Sequence, residues 1–379
     1  MACSIIQILR SIINGRVPLR TLGEVELLCD SSGEVIYSVG NSAILFSFWY
    51  HQRRYRLKCY TSKSSRRTLI YGSKLLVDEL YVPHEGERGE WIDILLEPWI
   101  EGATLTQCIE QHATNCARDE LLSLSKRFDA LALDLLSQEW AHGDITCENI
   151  IVDNEGELHL IDHDANYIPQ FEGLESHELG TAAYQHPLRS VSHFDRSIDD
   201  YSLALISTSL SLLAIEPQLY DYQQGLDGLL LEPLEIMQER SAIYTEALQL
   251  LAKRGEPISY NIAKLLRSQE VTLPTLPRLL RYKVEGAHLS ATPTTIFCRD
   301  GLWGYLNQFG REVIPPLFDF ALDFSESLAA VRISSWWHYI DSRARVVVNC
   351  SDYISLKSVS QGRGRAQTKS GQWQEIDIK

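Results

Sequence analysis

The stretch HGDITCENIIVDNEGELHLIDHD, His142 to Asp164, is the strongest signal in the chain, and the rest is read outward from it. Asp144 follows a His-Gly pair, and Asn149 stands five residues on, before the strand-like IIV. Asp162 ends a second strand-like run, LHLI, after the turn NEGE. A loop, a tight hairpin and a strand end in that order would bring the three side chains to one cleft. Phosphoryl transfer needs such a set: one carboxylate near the attacking hydroxyl, and separate oxygen ligands for a Mg²⁺ that bridges the nucleotide phosphates. His142 has no Cys or His partner at ligand spacing and reads as structural.

Upstream, three strand-like runs (GEVIYSV, AILFSFWY and RYRLKCY) are separated by Gly40-Asn41-Ser42 and by the polar turn His51 to Arg54. Residues 65 to 77 suit a short helix, and DELYVPH and WIDILLEPW alternate like two more strands around EGERGE. Five strands and one helix make a small lobe. Lys58 lies among apolar residues in YRLKCY, where a buried amine needs an anionic partner. Joined to the acidic loop, it becomes a candidate phosphate ligand. Downstream, Leu121, Leu124, Phe128, Leu131 and Leu135 recur at the spacing of one buried helix face. Residues 201 to 215, YSLALISTSLSLLAI, are apolar nearly all round, which predicts a helix in the centre of an α-rich lobe. After Leu266 the two prolines of VTLPTLPRLL predict a linker or clamp.

These residues together make the chain similar, over about 33 to 270, to the eukaryotic-like Ser/Thr protein kinases of bacteria. HGDITCENI resembles that family's catalytic loop, IDHD its magnesium loop and RLKCY its lysine strand. GTAAYQHP resembles the end of an activation segment, and SIDDYSLAL the start of the central helix, with Asp199 where an acid holds the catalytic loop. The resemblance implies that Asp144 positions or deprotonates a substrate hydroxyl, that Asn149 and Asp162 hold Mg²⁺ (or Mn²⁺), and that Lys58 contacts the α and β phosphates of ATP. It also implies a phosphate loop at Gly40 and a hinge around Glu97 to Trp99 that meets the adenine edge. Thr181 and Tyr184 would be modifiable hydroxyls, with packing the favoured role for both.

The chain departs from that pattern in five places. Gly40 is the sole glycine of GNSAILF, and no acid lies between Lys58 and Val77, so Asp78 or Glu79 would have to pair with the lysine. Thr146 stands where many Ser/Thr kinases carry a lysine, His163-Asp164 follows the metal aspartate, and no Glu follows Pro187. Two rival readings therefore accompany a protein Ser/Thr kinase: a pseudokinase scaffold with weak or no nucleotide turnover, and a small-molecule kinase of the aminoglycoside-phosphotransferase kind.

From about Thr294 a repeat appears. Trp303-Gly304-Tyr305 is followed 34 residues on by Trp337-His338-Tyr339 and another 36 residues on by Trp373-Gln374-Glu375, while Ala330 and Ala366 each precede their tryptophan by seven. This segment resembles the WG-repeat family, which implies a β-rich module that recruits a protein substrate or regulator. The expected fold class is α+β. A bilobal protein-kinase-like domain (small antiparallel β lobe 33–98, larger α lobe 99–270) lies between an N-terminal helical extension, 1–32, and a linker, 271–293. A β repeat domain, 294–379, follows.

Composition bounds the function classes. The chain has 379 residues, 45% hydrophobic and 22% charged, and suits a folded protein with more than one core. A net charge of -15 argues against a nucleic-acid binder, which needs a basic face. The eight cysteines show no CxxC pair and no metal-ligand spacing with histidine, so buried, reduced thiols are expected. The N-terminal apolar run is broken by Arg10, and no stretch reaches membrane-span length, which suggests a cytoplasmic protein with no membrane partner.

Overall fold

Alternating apolar residues between Val17 and Leu96 build one antiparallel sheet whose two faces are covered by different helices. The structure is a computed structural model that describes residues 3–12, 16–40, 42–84, 87–222, 229–286 and 293–378, in two units, Met1–Gly102 and Ala103–Lys379. The chain is mixed α and β, with a β-rich C-terminal region.

In the first unit α1 (Ile5–Arg10) opens on a capping box between Ser4 and Gln7. The strands are β1 (Arg16–Leu19), β2 (Gly23–Glu26), β3 (Tyr37–Val39), β4 (Ala43–Tyr50), β5 (Arg53–Tyr60), β6 (Leu75–His84) and β7 (Glu87–Pro98), with α2 (Ser65–Tyr71) between β5 and β6. They pair in the order β2-β1-β6-β7-β5-β4-β3, every pair antiparallel. Phe46, Phe48, Leu57, Cys59, Val82 and Ile94 form one core with Ile8 of α1, and Ala43, Tyr60, Leu75 and Leu95 form another with Tyr71 of α2. The expected helical extension over 1–32 is only partly helical. Val17, Leu19 and Val25 alternate over runs of four residues, too short to stand out in the sequence, and β1 and β2 extend the sheet.

After β8 (Gly102–Thr104), whose first residue closes the first unit, the second unit continues with α3 (Leu105–Thr114) and α4 (Arg118–Ser137), then the hairpin β9 (Ile150–Asp153) and β10 (Leu158–Leu160). Helices α5 (Asp200–Ile215), α6 (Pro233–Met237), α7 (Ala242–Arg254), α8 (Pro257–Leu265) and α9 (Leu276–Glu285) follow. Every residue of α5 from Asp200 to Leu213 is buried, as its uniform apolarity predicts. The expected linker over 271–293 contains a packed helix instead. Pro277 sits in its first turn, where a missing N–H costs nothing, and Leu276, Leu279 and Leu280 are buried against the helical core. Lys283 of α9 pairs with the buried carboxylate of Asp129 at 2.8 Å and donates to Ser207 and Ser211 of α5. That pair fixes α9 across α4 and α5.

Three small sheets complete the unit. They are β11 (Thr295–Arg299), β12 (Leu302–Leu306) and β13 (Glu312–Phe318); β14 (Phe320–Ala321), β15 (Ala329–Ile333), β16 (Trp336–Ile340) and β17 (Val346–Cys350); and β18 (Ser355–Ser360), β19 (Arg363–Gln367) and β20 (Trp373–Asp377). Trp303, Trp337 and Trp373 occupy β12, β16 and β20, so the sequence period is a period of sheets. Chemistry repeats with it. Tyr305 and Tyr339 each donate a hydroxyl hydrogen bond forward in the chain, to the carbonyls of Leu322 (2.8 Å) and Lys357 (2.5 Å). Glu326 accepts from the amides of Gln361 and Gly362, both at 2.7 Å, and so grips the turn one unit ahead.

Gly304 is required where it stands, because a Cβ there would lie 2.6 Å from the Ile314 carbonyl oxygen. In the second unit of the repeat its place is taken by His338, fully buried, whose Nε2 donates to the Ala252 carbonyl at 2.8 Å. The last carbonyls of a helix lack intrahelical partners. Asn349 donates to the neighbouring Lys253 carbonyl at 2.7 Å, and Asn261 of α8 donates to Leu317 of β13 at 2.9 Å. The repeats thus dock on the ends and sides of α7 and α8.

His338 generates a stability prediction. Burial pushes its imidazole down to about 4, opposed by the hydrogen bond to Ala252. A depressed folded pKa means stability that is present above the ordinary value near 6.5 and lost as pH falls toward 4. The expected loss is on the order of 3 kcal/mol across that window. Urea unfolding at pH 7 and pH 4.5 should show it in the native protein and a clearly smaller pH dependence in His338→Gln.

Candidate functional site

The acidic loop is held from below by the first residue before α5. Asp199, 4% exposed, accepts the amide hydrogens of His142 (2.5 Å) and Gly143 (2.8 Å). Burial pushes its carboxyl upward, while the imidazole of His142, those two amides and Arg189 pull it back. His142 is itself a strut. Its Nε2 lies 3.0 Å from the Ile161 carbonyl, and its Nδ1 accepts the Asp144 amide at 3.3 Å.

Thr146, buried, turns the chain by accepting the Asn149 amide on both its hydroxyl and its carbonyl. The β9–β10 hairpin follows, with Asp153 accepting from the amides of Glu155 and Glu157 across NEGE. The ladder runs on to Ile161, whose amide donates to the Asn149 carbonyl at 2.9 Å, and Asp162 follows directly in the chain. Asp162 has φ +66°, a left-handed conformation uncommon outside glycine that aspartate tolerates better than most residues.

Asp144 gathers contacts from both sides. Asn149 Nδ2 donates to the Asp144 carbonyl (3.0 Å) and to its Oδ2 (3.3 Å), and the Thr181 amide donates to its Oδ1 (2.7 Å). A carboxylate offers about four acceptor positions. Two are engaged here, and the others can receive a hydroxyl. Gly180, at φ +71°, permits this approach, since a Cβ would stand 2.7 Å from the Gly143 carbonyl oxygen and 2.8 Å from Asp144 Oδ1. Asn149 turns its nitrogen toward Asp144, which leaves its amide oxygen directed elsewhere.

Sequence reasoning missed Arg189 and Gln185. Arg189 is buried; its Nη1 donates to the Gly143 carbonyl at 3.0 Å and to Gln185. Burial pushes its guanidinium below the ordinary value, and Asp199, Asp144 and Glu178 pull the other way. The only signal was an arginine two residues after Pro187, in a stretch that otherwise reads as a turn. Tyr184 is buried, and its carbonyl accepts from Ser202; His186 likewise bonds the Ser268 carbonyl at 3.1 Å. Both residues pack the segment onto α5 and the chain after α8.

Four expected site residues lie in the first unit. Lys58 is buried on β5, between Leu45 and Leu95 in the ladder, with its ammonium 5.4 Å from the Tyr60 ring centroid. Asp78 pairs with Lys63, and Glu79 accepts from Thr21 and from the Leu22 amide, so both acids offered as partners for Lys58 serve other groups. Gly40 closes the β3–β4 turn by donating to the Ala43 carbonyl at 2.9 Å; Asn41 lies outside the described residues. Glu97 pairs with Arg56 across the β5–β7 ladder. The Trp99 amide donates to the Arg54 carbonyl at 2.9 Å, and the Arg54 guanidinium lies 3.7 Å over the Trp99 ring.

With the geometry in place, comparison with known proteins adds one positive finding. Residues 303–335 match the family model described as WG containing repeat. The match covers β12 to β15, the stretch that holds Trp303, Tyr305, Gly304 and Glu326. Curated proteins return no match to the chain. Among the described residues no helix is long and apolar enough to cross a membrane.

Asp199 and Asp144 should behave differently on substitution. Asp199→Ala leaves two buried amides and Arg189 uncompensated, and should cost roughly 2–4 kcal/mol. Asp144→Ala removes bonds at a half-buried position and should cost less than about 1.5 kcal/mol. Chemical denaturation of the two variants checks the order.

Proposed function

We propose that the protein transfers a phosphoryl group from ATP, with Mg²⁺, to a Ser or Thr hydroxyl of a protein, and that residues 33–270 form a bilobal protein-kinase-like domain. The observation that carries the reading is Asp199 holding the His142 and Gly143 amides while Asn149 Nδ2 and the Thr181 amide meet the Asp144 carboxylate. In this reading Asp144 receives the substrate hydroxyl on its remaining lone pairs. Asn149 and Asp162 hold Mg²⁺, with Mn²⁺ as the alternative, and Lys58 contacts the ATP phosphates. Gly40 and the Glu97–Trp99 edge are the proposed nucleotide loop and hinge. The bound metal supplies charge neutralisation of the transferring group. The C-terminal repeats recruit substrate or regulator, since the repeat holds no acid pair or nucleophile with a base.

A pseudokinase scaffold is the second reading, and one contact favours it. The Thr181 amide rests on Asp144 Oδ1, where a substrate hydroxyl would compete with it. The small-molecule kinase is the third, since the HGD and asparagine spacing also suits that chemistry.

The test is transfer of labelled phosphate from ATP with Mg²⁺ or Mn²⁺ to the protein itself and to a generic basic protein. Transfer that disappears in Asp162→Ala and falls about 10²–10⁴-fold in Asp144→Ala supports the kinase. No transfer, together with an unchanged melting temperature on adding ATP and metal, removes it and leaves the scaffold. Transfer only to an added alcohol-bearing metabolite selects the third reading.

A further inference from the structure

Three residues far apart in sequence meet at one edge of the seven-stranded sheet. Cys3 Sγ lies 3.0 Å from Glu90 Oε1 and 3.6 Å from His84 Nε2, and His84 Nε2 lies 3.7 Å from Glu90 Oε1. All three potential ligand atoms fall within 4.8 Å of one another, with Cys3 buried and the other two half-buried. We propose that Cys3, His84 and Glu90 form a binding site for one thiophilic divalent cation, zinc by preference, that ties the N-terminal segment to the β6–β7 hairpin.

The geometry fits before any ion enters. Zn–S near 2.3 Å and Zn–N or Zn–O near 2.0–2.2 Å give tetrahedral ligand-to-ligand edges of about 3.4–3.6 Å. The sulfur–nitrogen and nitrogen–oxygen separations, 3.6 and 3.7 Å, are at or just above that range. The sulfur–oxygen edge is tighter because the thiol donates a hydrogen bond to the carboxylate. A cation would replace that proton, which leaves to solvent. Glu90, with its side chain 27% exposed, can move the few tenths of an ångström the longer edge needs.

Each ligand is also held by backbone. The Cys3 amide donates to the Thr61 carbonyl at 2.8 Å, just beyond β5, and the capped helix α1 starts directly after it. His84 and Glu90 sit on paired strands, in the registers His84↔Glu87 and Val82↔Glu90, with a bulge between them. Bulges re-aim side chains and are frequent at functional sites. A soft thiolate beside an imidazole selects zinc-like ions over Mg²⁺ or Ca²⁺, and three protein ligands leave a fourth position for water.

The test uses the full-length protein, stripped with a chelator and titrated with Co²⁺. It should take up one ion per chain with tetrahedral ligand-field bands and a sulfur-to-cobalt charge-transfer band; Zn²⁺ should displace the cobalt and raise the melting temperature. Cys3→Ser should lose the charge-transfer band, and Cys3→Ser and His84→Gln should each weaken binding by at least about 100-fold. The exposed His51→Gln should change neither. The proposal is overturned if the native protein shows no cobalt–sulfur band, or if Cys3→Ser binds as tightly as the native chain. Should Cys3→Ser not fold, Glu90→Gln decides: affinity lowered with an unchanged far-UV spectrum supports the site, and unaltered affinity overturns it.

Discussion

The buried carboxylate of Asp199 is the interaction on which the second unit turns. It stands at the N-cap of α5, yet its side chain makes no cap there and reaches instead to the amides of His142 and Gly143. A charge removed from water is tolerable only when hydrogen-bonded and near an opposite charge, and Arg189 supplies that charge while also gripping the Gly143 carbonyl. The helix buried deepest in the unit is therefore the one that shapes the acidic loop. The conformation of Asp144, and through it the seat of Gly180 and Thr181, is inherited from the packing of α5.

A second dependence joins the helices to the repeats. Ile314, Leu317, Phe318, Val331, Ile333 and Ile340 belong to the same hydrophobic cluster as Leu251, Ile262 and Leu280. Each buried side chain of this size contributes about 1.5–3 kcal/mol. The shared cluster therefore outweighs the few polar bonds at the boundary. Those bonds set register: His338 and Asn349 address two successive carbonyls at the end of α7, which fixes where the second sheet sits along the helix.

Much of this was legible in the sequence because it is local. The runs AILFSFWY and RYRLKCY are β4 and β5; the uniform apolarity of 201–215 is the buried α5; the tryptophan spacing is the period of the sheets. The hairpin between Asn149 and Asp162 shows itself through NEGE, whose turn Asp153 closes. What stayed hidden depends on distant partners. Strands β1 and β2 are four residues long and make sense only beside β6. Leu276, Leu279 and Leu280 look like a broken linker until α4 and α8 are there to cover them. Arg189 offers only its place two residues after Pro187, and Cys3 and His84 are 81 residues apart, beyond the reach of any ligand-spacing rule.

The replacement of a glycine by His338 bears on how this repeat array could ever be handled as a part. In the first unit of the repeat Gly304 leaves room for a neighbouring strand, whereas in the second a histidine plugs into a helix end. An array cut free at residue 294 would carry that plug with nothing to receive it, beside a raw apolar face that includes Phe318 and Ile333. It would aggregate rather than stand alone as a transplantable reader. Grafting the repeats onto another protein would require α7 and α8 to travel with them, so the smallest movable piece is half helical.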